Sequence, residues 1–147
     1  KSDGVINNSL RCQMMTPIFP YPKNNSMRAN WFELPVNDME RAKKFYASIF
    51  DINMGDDFAM GTSVMSFFPF ETDQDGATGT LMKQETYVPS HEGALIYFSV
   101  KEINDVLPKI SSNGGKVLNE KMSIGEHGFV AHFEDSEGNR VALHQSA

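Results

Sequence analysis

The chain has 147 residues, a formal net charge of −6 at pH 7 and ordinary proportions of apolar and charged residues. This length predicts one domain with a sizeable core, and the acidic balance disfavours nucleic acid binding, which requires clustered Lys and Arg. No apolar run approaches the roughly 20 residues of a transmembrane helix, so the sequence predicts no membrane partner either.

Residues 1–27 are rich in Asn, Ser and Pro and show no sustained hydrophobic period. We therefore expect an extended or poorly ordered N-terminal arm. The arm contains Cys12, the only cysteine, so no disulfide can form within the chain and a reducing, cytoplasmic location is favoured. Cys12 has no catalytic partner near it in the sequence and is interpreted as a spectator thiol.

The first regular element is a strand in the sequence NWFELPV, residues 30–36. Successive side chains of a strand point to opposite faces, so Phe32 and Leu34 share one face and Trp31 and Glu33 share the other. Phe32 and Leu34 are predicted to enter the core. The opposite face carries an aromatic ring beside a carboxylate, which makes it a candidate binding surface.

An amphipathic helix is predicted in the sequence NDMERAKKFYASIF, residues 37–50. Asn37 and Glu40 have the spacing of a capping box. The apolar residues recur at helical spacing, and they are Met39, Ala42, Phe45, Tyr46, Ile49 and Phe50. Three short strands follow, around residues 54–60, 63–70 and 79–85, with turns rich in Asp and Gly between them.

The pattern then repeats at an offset of 64 residues, because ALIYFSV ends at Val100 as NWFELPV ends at Val36. A second helix, INDVLPKISSN, is predicted to begin near Asn104, which places Pro108 in the first turn, where a proline is tolerated. Gly114 and Gly115 supply its C-terminal stop. The strands KVLN, GFVAHFED and RVALHQ complete a second β-α-β-β-β unit.

Each unit has one helix to cover one face of its sheet, which leaves the other face uncovered. Two such faces side by side can line a shared concavity, a common place for small ligands. Trp31 and Glu33 lie on the predicted uncovered face, and at the 64-residue offset they correspond to Leu95 and Tyr97. Ala142 and His144 alternate with the apolar Val141 and Leu143 on the last strand, so we expect them to face the same concavity.

The paired units resemble the vicinal oxygen chelate superfamily, which includes glyoxalase I, extradiol dioxygenases and bleomycin resistance proteins. The similarity lies in ELPVNDMERAKKFYASIF, YFSVKEINDVLPKISSNGGKV and the closing EDSEGNRVALH. It implies an α+β fold in which two βαβββ modules form a curved mixed sheet around a concave pocket. The domain would cover residues 28–147, with modules at 28–86 and 92–147.

Enzymes of this superfamily bind a divalent metal with His and Glu or Asp from the first and last strands of each module. The resemblance places those positions at Trp31, Leu95, Ala142 and the segment 78–80. Indole, Leu and Ala offer no metal ligand, and no His or carboxylate occurs between Gly76 and Gln84. The usual metal site is therefore expected to be missing, and we predict no metal and no other cofactor.

Glu33 and His144 leave three interpretations open. They would be an acid–base pair in a lyase or isomerase, relocated metal ligands together with His132, or polar groups hydrogen-bonded to their neighbours. The sequence does not assign a strand face to His132. His91 and His127 lie in predicted loops and are expected to be exposed to solvent.

The favoured interpretation is a protein that binds a small cationic or aromatic organic molecule, because Trp31 and Tyr97 offer aromatic faces and Glu33 offers a negative charge. The resemblance to bleomycin resistance proteins implies binding without a chemical reaction. The predicted ligand-binding residues are Trp31, Glu33, Leu95, Tyr97, Ala142 and His144. Met60, Met65 and Phe67 either extend this wall or only fill the core. The resemblance also implies a homodimer, and a module that binds a macromolecular partner through the N-terminal arm or the sheet edges remains the third alternative.

Overall fold

The computed structural model describes residues 29–147, so the predicted arm and Cys12 lie outside the described residues. Within this part of the chain the elements follow the order β-α-β-β-β twice. They are β1 (Trp31–Pro35), α1 (Met39–Phe50), β2 (Phe58–Met60), β3 (Ser63–Phe67), β4 (Thr78–Lys83), β5 (Tyr97–Ser99), α2 (Ile103–Ser112), β6 (Lys116–Ser123), β7 (Phe129–Glu134) and β8 (Arg140–Gln145), with a short 3-10 turn at Gly125–His127. Neither helix is long and apolar enough to cross a membrane.

The strands form two four-stranded sheets with the same topology. The first sheet has the order β1-β4-β3-β2 and the second has the order β5-β8-β7-β6. In each sheet the first strand pairs in parallel with the last strand of the module, and the other pairs are antiparallel. The predicted α+β fold with two βαβββ units is therefore confirmed.

One hydrophobic core joins the two modules through the faces of the sheets that the helices cover. The ring of Phe32 on β1 lies 5.6 Å from the ring of Phe98 on β5, and Phe45 of α1 lies 6.1 Å from Phe133 of β7. Both helices contribute buried residues to this cluster. The predicted core positions Phe32 and Leu34 are confirmed, and the opposite faces of both sheets lie outside the core.

The start of α1 differs from the predicted capping box. Asp38, one residue after Asn37, is the N-cap, and its Oδ1 accepts a hydrogen bond of 3.0 Å from the backbone N–H of Arg41. The backbone N–H groups of Asn37 and Asp38 instead donate to Oε1 of Glu137, at 3.0 and 2.8 Å. A carboxylate of the second module thus replaces the local box, a long-range contact that no local pattern encodes.

The second helix begins at Ile103, next to the predicted start near Asn104. Pro108 is its sixth residue and lies inside the helix, not in the predicted first turn. The missing N–H of Pro108 leaves the carbonyl of Asn104 without its helical donor. Both residues are exposed, so water can solvate that carbonyl. The predicted glycine stop is confirmed, because Gly114 has φ +93° and the N–H of Gly115 donates to the carbonyl of Ile110.

The turn between β7 and β8, residues 135–139, fastens the second module to the first. Glu137 has a fully buried side chain and accepts hydrogen bonds from Nε and Nη2 of Arg41, at 2.7 and 3.0 Å, besides the two from the backbone. Asp135 accepts a hydrogen bond of 2.6 Å from the buried hydroxyl of Tyr46. Asn139 donates through Nδ2 to the carbonyl of Pro35 at 2.8 Å. We call this turn the clasp.

The substitution Glu137→Gln should lower the free energy of unfolding by about 2 kcal/mol, because the clasp loses charge-assisted hydrogen bonds to Arg41 and to two backbone N–H groups. Urea denaturation followed by circular dichroism measures the change. Glu120→Gln, at an exposed position of β6, removes the same charge and should change stability by less than about 0.5 kcal/mol. Equal stability of the two variants would contradict this role of the clasp.

Burial and the neighbouring charge of Asp135 raise the pKa of Tyr46 well above its ordinary value. An unfolded chain releases this proton near pH 10 while the folded chain retains it, so the stability that the hydroxyl supplies is lost as the pH rises above about 10. Tyr46→Phe should therefore be less stable than the wild type at pH 8. The difference between the two proteins should shrink between pH 9 and pH 11 in urea denaturation, and a constant difference would contradict the assignment.

Candidate functional site

The face of the first sheet that the helix does not cover carries the predicted aromatic and acidic pair. Trp31 and Glu33 alternate with the core residues of β1, and Glu33 lies opposite Thr80 of β4, which in turn lies opposite Phe67 of β3. The Trp31 ring meets the Phe67 ring edge to face, with centroids 5.6 Å apart. We call this surface the first open face.

Thr80 is the polar residue at the centre of the first open face. Its Oγ1 is buried and, within residues 29–147, is the one buried side-chain N or O atom without a hydrogen-bond partner. Leaving a buried hydroxyl without a partner costs about 1–3 kcal/mol. Thr80 is fully buried, so its hydroxyl offers no contact to a ligand on this face, and the missing partner is a cost that the fold carries.

The Glu33 carboxylate influences a residue outside the strand. The negative charge of Glu33 raises the pKa of Tyr87, which belongs to the connection between the modules (residues 84–96). Both side chains are exposed, and Tyr87 is 37 % exposed. The carboxylate is therefore accessible to a cation.

The uncovered face of the second sheet, here called the second open face, carries Tyr97, His132, Ala142 and His144. Tyr97 and His132 both lie opposite Ala142 in the strand register, which assigns His132 to this face. The ring of Tyr97 is 48 % exposed, whereas Ala142 is fully buried. Leu95 precedes β5 and is partly buried.

The two histidines of the second open face have separate hydrogen-bond partners. Nδ1 of His132 lies 2.9 Å from Nδ2 of Asn119, and Nε2 of His132 lies 3.4 Å from the Tyr97 hydroxyl. Nε2 of His144 donates to the carbonyl of His127 at 2.8 Å. Within residues 29–147, His144 therefore bonds to His127 and not to Glu33, and proton transfer between the members of the predicted acid–base pair stays a prediction.

The two remaining histidines differ in their surroundings. His127 lies in the exposed 3-10 turn. His91 is also exposed, but its Nε2 lies 2.6 Å from Oε2 of Glu134, so it fixes the connection to the edge of the second open face.

The residues at the family's metal positions do not fit a divalent metal. Trp31, Leu95, Ala142 and the strand segment from Thr78 to Thr80 provide no carboxylate, imidazole or thiolate. In the part of the chain that the structure describes, no group of three or more His, Cys, Asp or Glu side chains could hold a metal ion. The residues at these positions therefore do not support metal-dependent chemistry.

A cavity of about 210 Å³ lies where the two modules and their connection meet. Its walls come from the end of β1, from the connection and from the start of β8, and they include Glu33, Pro35, Ser90, Glu92, Ile96 and Arg140. We call it the junction cavity. Glu92 and Tyr87 are not predicted at this site because they lie in the connection, whose path no residue pattern encodes. Arg140 is not predicted there because it starts β8, and only the packing of the two modules brings it to the cavity.

A larger cavity, of about 380 Å³, lies near the start of α1. Its walls include Val36, Val64 and Lys83, and it is more open to solvent than the junction cavity. None of the candidate site residues lines it. Its size alone therefore does not make it the functional site.

The similarity to known proteins agrees with this architecture. The family model "Glyoxalase/Bleomycin resistance protein/Dioxygenase superfamily" matches residues 28–143. A glyoxylase-like domain-containing protein of Didymella fabae is 34 % identical over 115 residues, which cover 76 % of this chain and 88 % of that protein. The protein CFP32 of Mycobacterium tuberculosis, whose name assigns it to the glyoxylases, is 26 % identical over 130 residues, or 85 % of this chain. The chain spans about half of the length of CFP32, 49 %.

Two solved structures illustrate the shared fold. A glyoxalase/bleomycin resistance protein from Albidiferax ferrireducens superposes with a TM-score of 0.62 at 18 % identity, covering 81 % of this chain and 98 % of that protein. TnmS3, an antibiotic binding protein from a Streptomyces species, superposes with a TM-score of 0.58 at 20 % identity, and the match covers 84 % of this chain and 99 % of TnmS3. At these identities the similarity concerns the fold alone.

Glu33→Gln should lower the pKa of Tyr87 toward its ordinary value, because the variant removes the charge that opposes ionisation of the phenol. A pH titration of tyrosine ring carbons by NMR measures the change, with Tyr87→Phe identifying the signal. Glu120→Gln serves as the charge-matched control and should leave the Tyr87 signal unchanged. An unaltered Tyr87 pKa in Glu33→Gln would show that the two side chains do not interact in solution.

Proposed function

The chain belongs to the glyoxalase/bleomycin resistance protein/dioxygenase superfamily, and from this premise we propose that it binds a small organic molecule without the family's usual metal site. The ligand carries a cationic group and an apolar or aromatic part. The first open face is its main binding surface, and Glu33 is the group that selects the cation.

The observation that carries this proposal is the chemical composition of the first open face. A Trp31–Phe67 ring pair stands on the same face as the accessible Glu33 carboxylate. An aromatic face attracts a cation by about 0.5–2 kcal/mol, and the carboxylate adds a charge-assisted hydrogen bond. The same groups would disfavour an anionic ligand.

Exposed apolar side chains extend the surface beyond this centre. Phe58 on β2 lies opposite Met65 of β3, which places it on the first open face, and it is 53 % exposed. Met60, on the same edge strand, is 59 % exposed. Exposed apolar side chains of this size, next to a polar centre, are typical of binding surfaces.

The antibiotic binding named for TnmS3 supports a binding role, since it shows that a protein with this fold can act by holding a molecule. The missing metal ligands at Trp31, Leu95 and Ala142 favour the same role over metal-dependent catalysis. The homodimer implied by the resemblance stays a prediction.

Trp31 is the only tryptophan of the chain, so its fluorescence reports on this site directly. Titration with benzyltrimethylammonium and benzylamine should quench the emission and reach saturation, whereas the uncharged benzyl alcohol should bind more weakly. Glu33→Gln should weaken binding of the two cations by about tenfold, which corresponds to about 1.4 kcal/mol. Its effect on benzyl alcohol should be small.

Glu120→Gln is the matched control for this titration, because it removes one exposed carboxylate from another part of the protein. It should bind all three compounds as the wild type does. Unchanged emission with every compound would overturn the proposal, and so would equal loss of cation binding in both variants.

A further inference from the structure

The junction cavity carries both signs of charge. Glu33 and Glu92 contribute carboxylates to its walls, and Arg140 contributes a guanidinium. The three side chains come from β1, the connection and β8. Two hydrogen bonds connect these segments. The backbone N–H of Arg140 donates to the carbonyl of Ser90, and Nδ2 of Asn139 donates to the carbonyl of Pro35.

Within residues 29–147, no carboxylate pairs with the charge of Arg140. Its neighbour across the strand ladder is Glu134, but the Glu134 carboxylate is engaged by Nε2 of His91 at 2.6 Å. Within residues 29–147 the guanidinium makes no ion pair at 4 Å or less. A guanidinium presents paired N–H donors that match the two oxygens of a carboxylate.

The carboxylates of the cavity are also accessible. Glu92 uses its backbone N–H and carbonyl to bond Ser90, and its side chain is exposed. Glu33 keeps an accessible carboxylate beside Tyr87. Two carboxylates and one guanidinium give this wall a net negative charge. A ligand that carries only an anion would therefore be repelled, and a ligand that carries only a cation would leave Arg140 unpaired.

We infer that the junction cavity takes a small zwitterion of the amino acid type, whose ammonium lies at Glu33 and Glu92 and whose carboxylate lies at Arg140. The volume of about 210 Å³ agrees with this size, since drug-sized ligands occupy about 300–1,000 Å³. The inference rests on the proposed function, because Glu33 belongs both to this cavity and to the first open face. Beyond the proposed function, the inference assigns Arg140 as the group that binds the carboxylate of the ligand, and it limits the ligand to the size of an amino acid.

The test begins with thermal denaturation of the 147-residue chain in the presence of each protein-forming L-amino acid at about 10 mM. At least one should raise the melting temperature. The best of them is then compared by calorimetry with two analogues, its amide, which lacks the carboxylate, and its deamino acid, which lacks the ammonium. For leucine these are leucinamide and 4-methylpentanoate. The zwitterion should bind at least about tenfold tighter than either analogue.

The variant Arg140→Gln tests whether the guanidinium itself recognises the carboxylate, or whether any positive charge on the protein has the same effect. In this variant the amino acid and its amide should bind with equal affinity, because the group that recognises the carboxylate is gone. Arg140→Lys should restore part of the preference. Lys109→Gln, on the exposed side of α2, removes one positive charge elsewhere and should keep the full preference of the wild type.

The inference is overturned if no amino acid raises the melting temperature, or if Arg140→Gln retains the preference for the zwitterion. If the amide binds the wild type as well as the amino acid does, the inference also fails. In each of these cases the proposed function is judged separately, by whether aromatic cations still quench Trp31. If no amino acid raises the melting temperature and no aromatic cation quenches Trp31, both the inference and the proposed function are overturned.

Discussion

The architecture depends on buried carboxylates in the clasp between β7 and β8. Burial removes the Glu137 side chain from water, and four hydrogen bonds from Arg41 and from the backbone N–H groups of Asn37 and Asp38 compensate for this burial. Asp135 accepts a hydrogen bond from the buried hydroxyl of Tyr46. These contacts fix the angle at which the second module meets the first, because each donor lies on one module and each acceptor on the other. The shared aromatic core of Phe32, Phe98, Phe45 and Phe133 can then form.

This constraint explains where a ligand can bind. Both helices and the covered faces of both sheets are used in one core, so each sheet has one remaining face for function. On the first sheet that face carries Trp31, Glu33 and Thr80. The connection crosses between the modules and contacts Glu134 through His91. It brings Glu92 to the junction, β8 brings Arg140 and β1 brings Glu33, so the polar contacts of the ligand come from three separate parts of the chain.

Local residue patterns predicted most of the fold and a part of the site. The alternation of Trp31, Phe32, Glu33 and Leu34 was sufficient to assign the two faces of β1, and the repeat at 64 residues was sufficient to identify two similar modules. The capping box at Asn37 was wrong because a distant carboxylate, Glu137, takes the N–H groups that a local cap would use. Pro108 was wrongly placed in the first turn of α2, since it is the sixth residue of a helix that begins at Ile103. Tyr87 and Glu92 could not be predicted at the site because they lie in a connection without regular secondary structure, and Arg140 could not because its place there depends on how the two modules pack.

The central claim is that the modules are joined through the covered faces of their sheets, which leaves the Trp31 face free for a ligand. The most direct measurement is a nuclear Overhauser spectrum of the protein with labelled phenylalanine rings, assigned with Phe32→Leu and Phe98→Leu. The account predicts cross-peaks between the rings of Phe32 and Phe98, whose centroids are 5.6 Å apart. Cross-peaks from Phe98 to the second module alone, together with contacts from Trp31 to the buried residues of the second module, would contradict it.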